Sequence, residues 1–477
     1  MLERRILFKR SRVGSLGFRV SKFTFLSFST EALIAGFYIA VTRSITPIFL
    51  VANGYRLEDI LSINVFAGLF SLLLGFLLYR YGSKAITKPR LLIAHTMERM
   101  LWFTIPFMLG NKLLLTLVYG LAVASTLPTS IYMQTAILTS FNGVSYRKIV
   151  GVRSALGAFS SILGQAFAIL TLATGADGSK YLNLYETAFI IGILSSIIVA
   201  LTPACIFRNT RTMVRNGSLD AEAKATNSFI LLVTVISSYL LLNMAWIPRI
   251  MNDLKAPDYV AASIGFAQTV ASIGSSFFWI NRNTKTYRIA LVLLASMPLL
   301  VSFTLQPELH ILLALIYGFS VVGVNMYAAR MYSDLVGEIG VFRAGTLLAS
   351  TNSLALTLAS IVGFIVSASP SIVFLVSALL GVVGLSIALT GFPEFAIIPK
   401  KLCPTIFENN VSNKYFKLQF SSICYVGISQ SKLENRGIKL YAHTSLHNLQ
   451  NNILYHYYNW RVKGYGKSCF RSFTTNP

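Results

Sequence analysis

The chain has 477 residues, of which 54% are hydrophobic and only 12% charged, and its mean hydropathy is +0.64. A water-soluble domain carries roughly 25% charged residues, so this composition excludes a globule covered by polar surface. A formal net charge of +24 would suit a nucleic-acid partner, but the placement of the cations argues against one.

Residues 1–23 form a basic leader holding Arg4, Arg5, Lys9, Arg10, Arg12, Arg19 and Lys22. Apolar windows then recur at 24–52, 57–79, 91–109, 113–137, 151–173, 185–205, 228–248, 259–280, 288–305, 310–333, 345–367 and 371–392. Each is long enough to cross roughly 30 Å of hydrocarbon as a helix. The expected fold is therefore an all-α membrane protein of twelve transmembrane helices. It divides into the leader, an N-terminal six-helix bundle (24–205), a cytoplasmic linker (206–227), a C-terminal six-helix bundle (228–392) and a polar, basic tail (393–477) expected to be poorly ordered. The first apolar run is too long for a signal core and lacks a small-residue cleavage site, so no cleavable signal peptide is expected.

With the N-terminus placed in the cytoplasm, the inner segments hold the leader cations together with Arg80, Lys84, Lys88, Arg90, Arg147, Lys148, Arg153, Arg208, Arg211, Arg215, Lys224, Arg282, Lys285, Arg288, Arg330 and Arg343. The outer loops hold only Arg56, Lys112, Lys180, Arg249 and Lys255. This asymmetry orients the chain with both termini inside, and it reads as contact with anionic inner-leaflet lipid. The expected location is the cell membrane, multi-pass, with no nucleic-acid partner.

The second half echoes the first at an interval of roughly 200 residues. LVYGLAVAS around Tyr119 resembles LIYGFSVVG around Tyr317, and SILG ending at Gly164 resembles SIVG ending at Gly363. Gly75 pairs with Gly274, Pro47 with Pro248, and Asp59 with Asp258. With an even number of spans in each half, the halves share one orientation and are related by an axis along the membrane normal.

The short connection between the second and third spans carries Gly75, Arg80, Gly82 and Lys84 in the pattern G-x-x-x-x-R-x-G-x-K. Gly82 permits a tight reversal, Gly75 permits close helix approach, and the cations hold the loop among inner headgroups. The pattern resembles the cytoplasmic loop signature of the major facilitator superfamily. Tyr79 stands where that family usually has aspartate, which puts in doubt the ion-pair latch the family's loop makes. YRKIVGVRSALG from Tyr146 and VFRAGTLLAS from Val341 resemble the basic loops before that family's fifth and eleventh helices. The resemblance implies two halves around a central cavity lined by spans one, four, seven and ten, opening alternately to each side.

Ionisable groups inside hydrocarbon carry the strongest functional signal, because each costs roughly 2.5 to 3.5 kcal/mol even on insertion scales. Span one holds Glu31 and Arg43, and span three holds Glu98 and Arg99. Glu31, Ala35, Tyr38, Thr42 and Thr46 share one helical stripe, expected to face a water-filled cavity. Glu31 and Glu98 are candidate proton carriers. Alternatively, Glu31 pairs with the basic leader and Glu98 with a cation on a neighbouring span. Arg43 either binds an anionic substrate group or snorkels to the outer interface. Arg99 is turned about 100° from Glu98 and is expected not to share its cavity. Arg330 and Asp334, an i, i+4 pair, form a candidate inner gate or a simple surface pair.

The uncharged polar residues Asn64, Gln134, Gln165, Asn243, Gln268, Asn325 and Asn352 either line the cavity or join helices. Pro128 and Pro298 are candidate kinks, His95 and His310 read as isolated, and Cys205, Cys403, Cys424 and Cys469 are expected to be thiols. The sequence contains no P-loop, no G-x-G-x-x-G after a strand, no HExxH and no G-x-S-x-G. These readings describe a monomeric, non-enzymatic carrier without cofactor or metal. Its partners are a small-molecule substrate, a proton as coupling ion and membrane lipids, and the loop resemblance leans toward export of drugs or metabolites. The alternative is a membrane-embedded enzyme or receptor, which should show His, Asp and Glu converging at one depth and no repeat.

Overall fold

The computed structural model describes residues 2–391 apart from 82–86, 142, 176–178, 204–218, 281, 283, 340 and 368. The expected tail 393–477, Cys205, most of the linker 206–227, and the loop residues Gly82 and Lys84 lie outside the described residues, as does the side chain of Asp334.

Each expected apolar window coincides with a helix. These are α1 (Leu2–Arg43), continued by α2 (Thr46–Ala52), then α3 (Leu57–Tyr81), α4 (Lys88–Thr104), α5 (Lys112–Ser140), α6 (Gly143–Thr174), α7 (Lys180–Leu201), α8 (Leu219–Pro248), α9 (Asp258–Ile280), α10 (Tyr287–Phe303), α11 (Leu309–Ile339), α12 (Val341–Ile365) and α13 (Pro370–Gly391). Among the described residues, 10 helices are long and apolar enough to cross a membrane. The helices α4 and α10, at 17 residues each, fill the other two expected windows.

Local chemistry sets several helix ends. Pro47 stands in the first turn of α2, where its missing N–H costs nothing. The Asn111 side chain caps α5 by accepting from the Leu114 N–H at 3.1 Å. Pro248 closes α8, and a single π turn, Arg249–Asp253, follows it. The repeated prolines thus mark a helix break near the outer end of each half. Pro128 and Pro298 lie inside α5 and α10 without ending them.

The contacts described below lie within one unit, Phe23–Ile387. In it the halves meet along two symmetry-like seams, α3 against α12 and α6 against α9. On the first seam, glycine and a small or branched residue face each other in antiparallel register. A methyl group at Gly363 would lie 2.8 Å from Leu61, one at Gly75 would lie 2.9 Å from the Ser350 hydroxyl, and one at Gly68 would strike Thr357. Close backbone approach of this kind is how helices associate where lipid removes the hydrophobic drive. Gly75, expected from sequence to permit close helix approach, lies inside α3 and meets α12 in that way. Arg80 follows it at the exposed end of α3, with its guanidinium 5.4 Å from the Tyr81 ring.

Candidate functional site

α1 and α6 pack so tightly that a side chain at Gly36 would strike the Gly157 carbonyl, and Gly164 lies against Phe37 and Ala40. This fixes the rotation of α1 and turns Glu31, Tyr38 and Thr42 toward α4 and α7. The stripe is buried: Glu31 is 4% exposed and Tyr38 fully buried. It faces packed helices, and the expected water-filled surroundings are not what these side chains meet. Thr42 and Thr46 satisfy themselves by donating to carbonyls one turn back, and Thr46 also meets the Tyr185 hydroxyl at 2.5 Å.

Two ion-paired centres sit along that stripe. At the inner one, Arg153 of α6 bonds Glu31 at 2.7 Å and also donates to the Phe28 carbonyl. His95 of α4 lies 3.4 Å from the other Glu31 oxygen and 2.8 Å from the Ser196 hydroxyl on α7. At the outer centre, Glu98 accepts from Arg43 and, at 3.0 Å, from Arg99. Arg99 also donates to the His95 carbonyl at 3.0 Å and stands 4.9 Å from the Tyr38 ring centroid. Sequence spacing had pointed Arg99 away from Glu98. The guanidinium overcomes the 100° turn because its long side chain folds back along α4 onto the carboxylate face.

Within the network, exposure differs sharply. The side chains of Glu98 and Arg99 are each 2% exposed, whereas that of Arg43 is 34% exposed. Arg43 lies at the break between α1 and α2, and its guanidinium is 5.9 Å from the Trp102 ring. Trp102 in turn meets Tyr119 of α5 edge-on at 5.8 Å, and Tyr119 donates to Asn64 of α3 at 3.3 Å. Snorkelling alone does not describe Arg43, because it is tied to a buried carboxylate. The described partners of Glu31 are Arg153 and His95, and the side chains of leader residues 1–21 lie outside the described residues.

His95, Arg153, Ser195 and Ser196 belong to this network, and sequence reasoning left them out. His95 had read as isolated, yet His95, Glu98, Arg99 and Trp102 follow one another at the i+3 and i+4 steps of a single helix face. Arg153 had been counted among the topological cations. Nothing in its own sequence neighbourhood separates it from those.

Arg330, the candidate inner-gate residue, is exposed near the end of α11. At the outer ends, a cavity of about 390 Å³ is lined by Tyr55, Arg56, Pro248, Asp253, Lys255 and Pro370 among others.

No family model matches the chain, and no curated protein matches it in sequence. Solved structures do match. A mutant of the nucleoside transporter NupG aligns with a TM-score of 0.58 at 14% identity, covering 76% of this chain and 98% of that one. The xylose transporter XylE from E. coli, in a partially occluded inward-open conformation, aligns at 0.54 and 12% identity, over 79% and 98% of the two chains. FucP, a major facilitator superfamily transporter in the outward conformation, aligns at 0.51 and 13% identity, over 76% and 97%. The chain therefore has the fold of the major facilitator superfamily transporters, as its loop signature and its repeat had suggested.

Proposed function

We propose that this protein is a secondary active transporter that moves a small solute by alternating access, with a proton as coupling ion. The observation that carries the reading is the ion-paired network of Glu31, Glu98, Arg43, Arg99 and Arg153 inside apolar helices, with Arg43 accessible where α1 breaks. Buried ion pairs are weak evidence for stability, since well-packed apolar residues often do as well or better. Their retention inside a membrane fold of matched halves points to a coupling device.

Protonation of Glu98 would remove the charge that holds Arg43 and release the guanidinium. Loss of that proton would restore the pair. Glu31 and His95, joined to the same helix face, offer a proton a second acceptor nearer the inner side. The names of NupG, XylE and FucP, the last also described as a fucose:proton symporter, are in keeping with a small polar solute and proton coupling. Export is proposed from the loop containing Gly75, Arg80, Gly82 and Lys84. That loop, with Arg330 and Asp334 as inner gate, would couple the halves on the cytoplasmic side. The remaining parts of the reading are twelve spans in two six-helix bundles, both termini in the cytoplasm of a cell-membrane protein, and a monomer surrounded by lipid.

The test is solute flux into proteoliposomes under an imposed pH gradient, for wild type, Glu31→Gln and Glu98→Gln. Gradient-driven flux is expected to fall at least tenfold in Glu98→Gln, a loss of about 1.4 kcal/mol of coupling. Unchanged flux in both variants would remove proton coupling, and termini found on opposite faces would remove the architecture.

A further inference from the structure

We infer that the outer centre is a binding site for an anionic solute, a carboxylate or phosphate monoester, held by Arg43. This rests on the transport reading and names its substrate class. Two observations carry it. The first is charge: among the described residues, Arg43, Arg99 and Arg153 pair with only Glu31 and Glu98, so with neutral His95 the network holds one guanidinium more than its carboxylates can balance. The second is hydrogen bonding. Arg43 Nε, Arg99 Nε and Trp102 Nε1 are buried donors with no hydrogen-bond partner at the outer centre, while Glu31 Oε2, ion-paired with Arg153, and the Tyr38 hydroxyl also lack a hydrogen bond. Trp102 is only 3% exposed, and the Arg43 guanidinium 5.9 Å from its ring is the member of this group that solvent reaches.

A cluster with surplus positive charge and unspent donors is completed by an acceptor that carries negative charge. A neutral hydroxyl group would answer the donors and leave the charge uncompensated, at a cost that apolar surroundings make large. Arg43 is the member with an accessible side chain, and it sits where α1 stops and α2 begins. Its planar fork can hold Glu98 with one edge and a carboxylate or phosphate with the other. Binding of the anion and of Glu98 then draw on one guanidinium, which links solute occupancy to the proton on Glu98.

The experiment uses purified full-length protein and solutes paired so that only the anionic group differs: lactate with lactamide, glycerol 3-phosphate with glycerol, and AMP with adenosine. Thermal stabilisation and intrinsic tryptophan fluorescence report binding. At least one anionic member should bind saturably and its neutral partner at least tenfold more weakly. Arg43→Gln should weaken the anion tenfold or more, and Arg43→Lys should retain part of it. Because Arg43→Gln leaves Glu98 with one guanidinium fewer, the double variant Arg43→Gln/Glu98→Gln removes both members of that pair, leaves the net charge of the network unchanged, and must likewise fail to bind. Equal affinity within a pair, or undiminished anion binding in the folded double variant, overturns the inference. Flux of the neutral members without anion binding also overturns it and leaves the transport reading standing. Anion binding abolished by Arg43→Gln, with no flux of any member, supports the site and removes the transport reading.

Discussion

The two halves of the sequence echo each other and differ in buried chemistry. Among the described residues, the buried carboxylates and guanidinium, Glu31, Glu98 and Arg99, all lie in the first half. In the second half the described buried polar contacts join neutral groups, and its ion pair Arg249–Asp253 lies at the outer end of α8. Asn243 donates to the Tyr317 hydroxyl at 2.6 Å, the Trp246 N–H donates to His310 at 2.9 Å, and Ser238 and Ser377 donate to each other's carbonyls at 2.7 Å. The repeat spacing that joins Asp59 to Asp258 and Gly75 to Gly274 carries His95, Glu98 and Arg99 onto Leu294, Met297 and Pro298. Repeated positions do structural duty in both halves: Tyr119 and Tyr317 both hydrogen-bond, and Gly164 and Gly363 both admit a neighbouring helix. The ionised residues have no counterpart one period away. The repeat therefore accounts for packing contacts, and the buried ion pairs of α1, α4 and α6 fall outside it.

The largest effect that bears on this contrast is expected from Glu98→Ala. Removing the carboxylate leaves Arg43 and Arg99 facing each other without compensation, and breaking one side of a buried pair costs about 3 to 5 kcal/mol. Asn243→Ala in the second half loses a neutral hydrogen bond and should cost about 1 kcal/mol. Unfolding of the purified protein in one lipid or detergent background would compare the two directly. Equal costs would mean that the first half's charges are no more than structural polar contacts.

Much of the architecture was legible because hydrocarbon imposes a simple rule. Every expected window found its helix, with ends shifted by a few residues, as when α6 starts at Gly143 before a window opening at 151. The site was legible only in part. Glu31, Arg43, Glu98 and Arg99 stood out as ions in apolar runs, but their partners depend on helix rotation, which sequence does not contain. Gly36 and Gly164 set the rotation of α1 against α6, and only that packing turns Glu31 toward Arg153. His95 was overlooked because it was weighed alone and not with the helix face it shares with Glu98.

The seam between the halves gives a second, intermediate test. Gly68→Val puts a side chain against the Thr357 backbone, where the neighbour cannot yield as a flexible chain end would. Overpacking of this kind costs about 1 to 3 kcal/mol. The loss should appear as lower thermal stability that leaves anion affinity within a factor of a few, since the outer centre lies on other helices. A Gly68→Val variant with normal stability and abolished binding would instead make the α3–α12 seam part of the site.

The smallest effects separate the paired aspartates Asp59 and Asp258, which repeat in sequence but not in environment. Asp59 of α3 pairs with Lys112 of α5 inside the first half, and the two side chains are 26% and 60% exposed. Asp258 of α9 joins the halves at their outer ends, bonding Lys180 of α7 at 2.8 Å and accepting from the Tyr181 hydroxyl at 2.9 Å. Lys180 and Asp258 are each only 13% exposed. Exposed pairs are screened by salt, and half-shielded pairs much less so. Asp59→Asn should therefore lower stability by a few tenths of a kcal/mol at low salt and by nothing measurable in molar salt. Asp258→Asn keeps an acceptor for Tyr181, loses the negative charge that faces Lys180, and should cost about 1 kcal/mol with most of the loss persisting in molar salt. Melting curves at the two salt concentrations decide it. If both losses vanish together on adding salt, the Lys180–Asp258 contact is another solvent-screened surface pair.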